Sequence, residues 1–149
     1  MLRNYTSSVP ASRSVSHIED MLVRHGATDI YKKYSPEKKL EAISFMLYVQ
    51  GRKVPFKVPA RVDNVEKMLR GAVRRPKPGT MQRIGEQAER TAWKLVSDWV
   101  DVQMSLIELK QLDIMEVFLP YVYDVSKDQT FYEKLVVSNF KALQIPEVT

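Results

Sequence analysis

Apolar and polar positions along the chain follow two different periods, and the change from one to the other divides it. After Ser16, the apolar residues Ile18, Met21 and Leu22 fall at helical spacing, continued by His25, with Gly26 as a C-terminal cap. From Thr28 the period drops to two. Thr28 to Tyr34 alternates as a strand, Ser35-Pro36-Glu37-Lys38 reads as a turn, and Leu40 to Gln50 is the clearest strand in the chain. Ile43, Phe45, Leu47 and Val49 mark one face of that strand, and Ala42, Ser44, Met46 and Tyr48 the other. A third strand, Lys53 to Pro59, places Val54, Phe56 and Val58 on one side. Helical spacing returns with Val65, Met68, Leu69, Ala72 and Val73, and Pro76 ends it. The stretch Arg75-Pro76-Lys77-Pro78-Gly79 is then a stiff basic linker.

The longest helical pattern runs from Thr80 to about Leu112 and carries two apolar rows. Ile84, Ala88, Leu95, Trp99, Val102 and Leu106 form one; Trp93, Val96, Val100, Met104 and Ile107 form the other. Such a helix is the central strut of a core or half of a homo-oligomer interface. A short helix with Met115, Phe118 and Leu119 follows, stopped by Pro120, and a last one runs through Phe131, Leu135 and Phe140. Four helix starts carry the capping-box pattern: Ser16 with Glu19, Asp63 with Glu66, Asp113 with Glu116, and Thr130 with Glu133. The expected fold is α+β: an N-terminal helix, a three-stranded antiparallel sheet, and a helical C-terminal half with one long helix. One domain spans 1–149, with 1–14 as a flexible arm, 15–75 as an α-β-β-β-α part and 80–149 as a helical part.

The prolines of the third strand restrict the hairpin before it. With Gly51 and Arg52 at the tip, Val49 faces Val54, Leu47 faces Phe56 and Phe45 faces Val58. Proline has no N–H to give to the ladder, so Pro55 and Pro59 must sit where that position points outward. This predicts a four-residue loop, Gln50 to Lys53, and places the third strand on the sheet edge.

Composition narrows the function classes. The chain has 149 residues, 44% of them hydrophobic and 28% charged, enough for one domain with a real core. Apolar runs are too short to span a bilayer, and the first residues lack the apolar core of a signal peptide, so a cytoplasmic protein without membrane contact is expected. There is no cysteine, which removes disulfides, thiolate catalysis and sulfur-based zinc sites. Neither a glycine-rich phosphate loop nor a nucleophile with a base partner is present, and no cofactor is expected. His17 and His25, the only histidines, are eight apart, a spacing that suits a structural role better than a metal site.

Charge is distributed unevenly. Residues 1–30 carry three basic and three acidic side chains, 31–83 carry fourteen and four, and 84–149 carry six and eleven. A middle third this basic is a candidate footprint for a polyanion, although lysines can also simply keep a small sheet soluble. Tyr48, Arg52, Lys53 and Lys57 share the open hairpin face and its tip. Arg61, Lys67, Arg70, Arg74, Arg75 and Lys77 continue the basic stretch. An aromatic ring among cations suits base stacking with phosphate neutralisation. The expectation is a non-enzymatic nucleic-acid-binding protein, for DNA rather than RNA; the alternative is an interaction module that binds an acidic protein surface.

The blocks SVSHIEDMLVRHGAT and ERTAWKLVSDWVDVQMSLIELKQLDIMEVFLPYVYD, with GRKVPFKVP between them, resemble an uncharacterised family of small proteins encoded by bacteriophages and prophages. That resemblance implies a protein made in the bacterial cytoplasm, tied to phage DNA replication, recombination or counter-defence. It implies no activity and no functional residues. The α-β-β-β-α order is also similar to the double-stranded RNA-binding fold, but Asp63-Asn64-Val65-Glu66 stands where that fold has a lysine-rich helix start.

Overall fold

The computed structural model describes residues 2–143; position 1 of the expected arm and 144–149 of the expected helical part lie outside the described residues. Helix α1 (Ala11–Arg24) leads into strands β1 (Asp29–Tyr34), β2 (Leu40–Val49) and β3 (Arg52–Pro59), then helices α2 (Val62–Gly71) and α3 (Thr80–Glu108). The chain ends through α4 (Ile114–Phe118), a 3-10 turn at Leu119–Tyr121, the two-residue strands β4 (Tyr123–Asp124) and β5 (Gln129–Thr130), and α5 (Phe131–Val137). The main sheet is antiparallel in the order β1-β2-β3, so the architecture is α+β as expected.

Alternation along β2 and β3 decides which face becomes core. Ile43, Phe45, Leu47, Phe56 and Val58 are buried and join Ile18 and Leu22 of α1, Trp93, Val100 and Met104 of α3, and Phe118 of α4 in one cluster. Phe45 stacks on Phe56 with centroids 5.3 Å apart, and Phe118 meets both rings edge-on at 5.4 and 6.0 Å. Trp99 extends the contact, edge-on to Phe118 at 5.6 Å and to Tyr121 at 5.8 Å. Trp93 is fully buried, and its indole N–H donates to the Leu40 carbonyl at 3.2 Å, which satisfies the one polar atom it takes inside.

The hairpin corrects the expected loop and register. Val49 pairs with Arg52, Leu47 with Val54, Phe45 with Phe56 and Ile43 with Val58, so the loop is the two residues Gln50 and Gly51. Both have positive φ, +50° and +78°, the condition for the type I′ turn whose twist matches paired strands. Pro55 and Pro59 then face Met46 and Ala42, one step out of phase with the bonded Val49–Arg52 pair, so neither interrupts the ladder. The proline constraint was right and the loop length inferred from it was wrong. A shift of two residues keeps every side chain on its face, so the core assignment survived.

Two helix starts also differ from their capping boxes. α1 begins at Ala11 with Pro10 as N-cap, because Ala11 and Val15 carry the stripe of Ile18 and Leu22 a turn earlier; Ser16 is exposed in mid-helix. Its C-terminus closes as a Schellman motif at Gly26 (φ +100°), with Ala27 N–H donating to Leu22 and Gly26 N–H to Val23. α2 starts at Val62 after Arg61, which is left-handed at φ +53°, because Ala60 and Val62 are both drawn into the core. The boxes at Asp113–Glu116 and Thr130–Glu133 are both formed.

α3 lies across the buried face of the sheet. Its row of Trp93, Val100 and Met104 is buried, whereas the other row turns Val102 to solvent at 57% exposure. α1 runs parallel beside it: His17 Nε2 meets Asp101 at 2.5 Å and His25 Nε2 meets Glu108 at 3.1 Å, so the two histidines pin helix to helix. The segment before α1 lies along α3. Arg3 and Asn4 reach Asp98 at 3.3 and 2.9 Å, and the Ser7 carbonyl accepts from Gln87 and Arg90. No helix among the described residues is long and apolar enough to cross a membrane.

In urea denaturation, Phe118→Ala should cost about 3–5 kcal/mol, because it removes the ring shared by sheet and α3. Gly51→Ala should cost roughly 1 kcal/mol, since it puts a Cβ on a left-handed residue with no clash around it. Equal losses at the two sites would argue against this packing.

Candidate nucleic-acid interface

The basic residues singled out in the sequence fall into two groups on different layers. The alternation that buries Phe45 and Phe56 turns Asp29, Tyr31, Lys33, Ser44, Met46, Tyr48, Lys53 and Lys57 to the open face of the sheet. α2 belongs to the helical side, packed on α3 with Val65 and Leu69 against the core. Its charges, and those of the linker after it, point to solvent there.

On the sheet, most cations are matched. Lys53 Nζ sits 3.0 Å from Asp29; this pair holds Lys53 protonated above its usual range, and Asp29, bonded by Thr28 and then Lys53, below its own. Lys57 Nζ lies 3.3 Å from Asp128 and 5.1 Å from the centre of the Tyr123 ring, with 15% of its side chain exposed. Lys33 reaches the same Asp128 at 3.7 Å. Asp128 thus bridges the two edge strands, and the β4–β5 hairpin crosses over the end of the open face where Ala42 is buried. The outer edge of β3 is also met there, by an isolated bridge from Phe56 to Val122. This hairpin leaves no signal in the sequence, since strands of two residues have no periodicity to detect.

Away from that end the face is open. Tyr48 is 62% exposed opposite Lys53, whereas Arg52, expected on this face, pairs with Val49 and projects from the other side of the sheet, exposed beside the turn. A second exposed ring, Tyr31 at 55%, stands opposite Ser44. Tyr31 was missed in the sequence, though the alternation of β1 carries the signal: Asp29, Tyr31 and Lys33 must share a side, and pairing with β2 decides which.

The helical group is different in kind. Arg61, Lys67, Arg70, Arg74, Arg75 and Lys77 are all exposed. Arg70 is held by Glu66 at 2.7 Å across one helical turn. Lys67, Arg74, Arg75 and Lys77 have no carboxylate within ion-pair distance among the described residues, and the same holds for Arg52 and Arg61. Residues 67–83 contain six basic side chains and no acidic one, Arg83 at the start of α3 being the sixth. The linker is shaped as well as charged: Gly79 takes φ +81°, and the Thr80 hydroxyl accepts from the Lys77 N–H at 2.9 Å. The result is a ridge of cations where α2 turns into α3, with Arg70 alone paired among the described residues.

The ionisation of the sheet-end cluster can be read directly. The hydrogen bond from the Tyr123 hydroxyl to Asp128 pushes the phenol up to about 12 and, with Lys57, holds Asp128 below the usual carboxylate range. The bond contributes fully below the ordinary phenol value of ~10 and is lost as pH rises through about 12. Ultraviolet titration should therefore show one late-ionising tyrosine that Tyr123→Phe removes and Asp128→Asn brings toward the ordinary range; a profile unchanged in Tyr123→Phe would contradict the assignment. Comparison of the chain with protein-family models, with curated proteins and with solved structures gives no match.

Proposed function

We propose that this protein is a non-enzymatic nucleic-acid-binding protein, with DNA as its expected ligand, and that the ridge of residues 67–83 makes the main phosphate contacts. The observation that carries the reading is the contrast between the two groups of cations. Lysines on the sheet are largely neutralised by Asp29 and Asp128, whereas Lys67, Arg74, Arg75 and Lys77 are exposed without acidic partners among the described residues. Uncompensated like charges repel one another, and a polyanion that releases its counterions on contact relieves this repulsion. Arginine is prominent in the ridge, and its planar fork suits phosphate oxygens. The resemblance to phage-encoded proteins supports a site of action in the bacterial cytoplasm, during phage DNA replication or recombination.

One observation favours a second reading, an acidic protein surface as the partner. Met68 is 60% exposed between Lys67 and Arg70 on the outer side of α2, and an apolar side chain there suits a protein interface better than a phosphate backbone. Retention of one protein from a nuclease-treated host lysate, without nucleic-acid binding by the purified protein, would favour it.

The test is binding across salt concentrations. The intact protein should bind DNA at low salt and weaken linearly in log–log form. Arg74→Glu with Arg75→Glu should lower affinity at least roughly tenfold and flatten the slope by about two, with the melting temperature unchanged. Absence of binding to single- or double-stranded DNA or RNA at low salt would sink the reading.

A further inference from the structure

The open face of the sheet carries a feature that the phosphate ridge does not explain. Tyr31 and Tyr48 keep 55% and 62% of their surface exposed, although Ile43, Phe45 and Leu47 on the opposite face of β2 are buried in the core. They stand on one plane, in the rows of Ser44 and Lys53, with the half-buried Met46 between them. At ~3.3 Å per residue along β2, the two rings are roughly 13 Å apart along the strand, room for bases on each ring and further nucleotides between.

We propose that this face is a stacking platform for single-stranded nucleic acid, which makes the protein a single-strand rather than a duplex binder. The inference rests on the nucleic-acid reading above and specifies its substrate. The chemistry is selective: bases of a duplex are stacked on one another and cannot lie on a flat sheet, whereas a single strand offers base faces to any exposed ring. Charge around the rings matches this occupant. Lys33, Lys53 and Lys57 surround the platform against Asp29 and Asp128, an excess of one positive charge. Asp29 also has a positioning role, because it keeps Lys53 Nζ beside the platform at 3.0 Å. Asp29 accepts from the Tyr31 hydroxyl at 3.5 Å, and the ring remains exposed. The β4–β5 hairpin closes the far end through Asp128, so a strand would run from the Gly51 turn toward that hairpin, passing Tyr48 before Tyr31.

The experiment is fluorescence anisotropy with a labelled single-stranded oligothymidine and a mixed-sequence duplex of the same length. It compares the intact protein with the pairs Tyr31→Ala/Tyr48→Ala, Tyr31→Phe/Tyr48→Phe and Arg74→Glu/Arg75→Glu. The intact protein should prefer the single strand. The alanine pair should lose at least roughly tenfold in single-strand affinity with duplex affinity unchanged, and the phenylalanine pair, which keeps both rings, should retain it. Equal affinity for both ligands, or single-strand affinity indifferent to the alanine pair, overturns the platform. If the arginine pair still weakens binding in that case, the nucleic-acid reading stands without it. No binding to either ligand removes both.

Discussion

Everything else in this molecule depends on the contact of Phe45 with Phe56 beneath the edge of Phe118. Those three rings commit one face of the β2–β3 hairpin to the interior, and a pleated strand leaves no choice about the other face. α3 covers the committed face, α1 lies parallel to α3, and α2 packs on it, so all three long helices lie on the same side. The second face of a small sheet is then left to solvent, apart from the end that the β4–β5 hairpin crosses. A single packing decision therefore sorts the basic residues of the middle third into two sets, one on the sheet and one on the helical layer.

The two sets differ in how their charge is spent. On the sheet, Asp128 gathers Lys33, Lys57 and the Tyr123 hydroxyl, and Asp29 gathers Lys53. Such pairs gain little in stability when exposed, but they fix the position of long side chains and lower the net field. On the ridge, Arg70 alone is paired among the described residues, and the remaining cations repel each other across a proline-bounded turn. A surface that only needs solubility has no reason to concentrate six cations in seventeen residues without an acid, since both signs interspersed would serve as well. The ridge supplies attraction for a polyanion, and the sheet supplies exposed rings with positioned charges.

Much of the fold was legible because its signals are local. The periods of two and 3.6 placed three strands and the long helix to within a few residues, and the boxes at Asp113 and Thr130 marked true helix starts. What failed was decided by tertiary packing. Ser16 and Asp63 carry capping patterns, yet burial of Ala11 with Val15, and of Ala60 with Val62, moved both helix starts earlier. The hairpin register depended on Gln50 accepting a left-handed conformation, which glutamine rarely does and its sequence neighbourhood does not announce. The candidate site was legible as a list of basic residues but not as a surface. Its division between layers follows from the position of α2, and Tyr31 joins Tyr48 only through the β1–β2 register.

The central claim is that residues 67–83 form the surface on which a nucleic acid first docks. Amide chemical shifts of the isotope-labelled protein, followed while a short DNA strand is added at low salt, test it most directly. The account predicts the largest shifts at Lys67, Arg70, Arg74, Arg75, Lys77 and Arg83, with a second group at Tyr31, Tyr48 and Lys53. Shifts confined to the α1–α3 side around His17 and Asp101, or none anywhere, would contradict it.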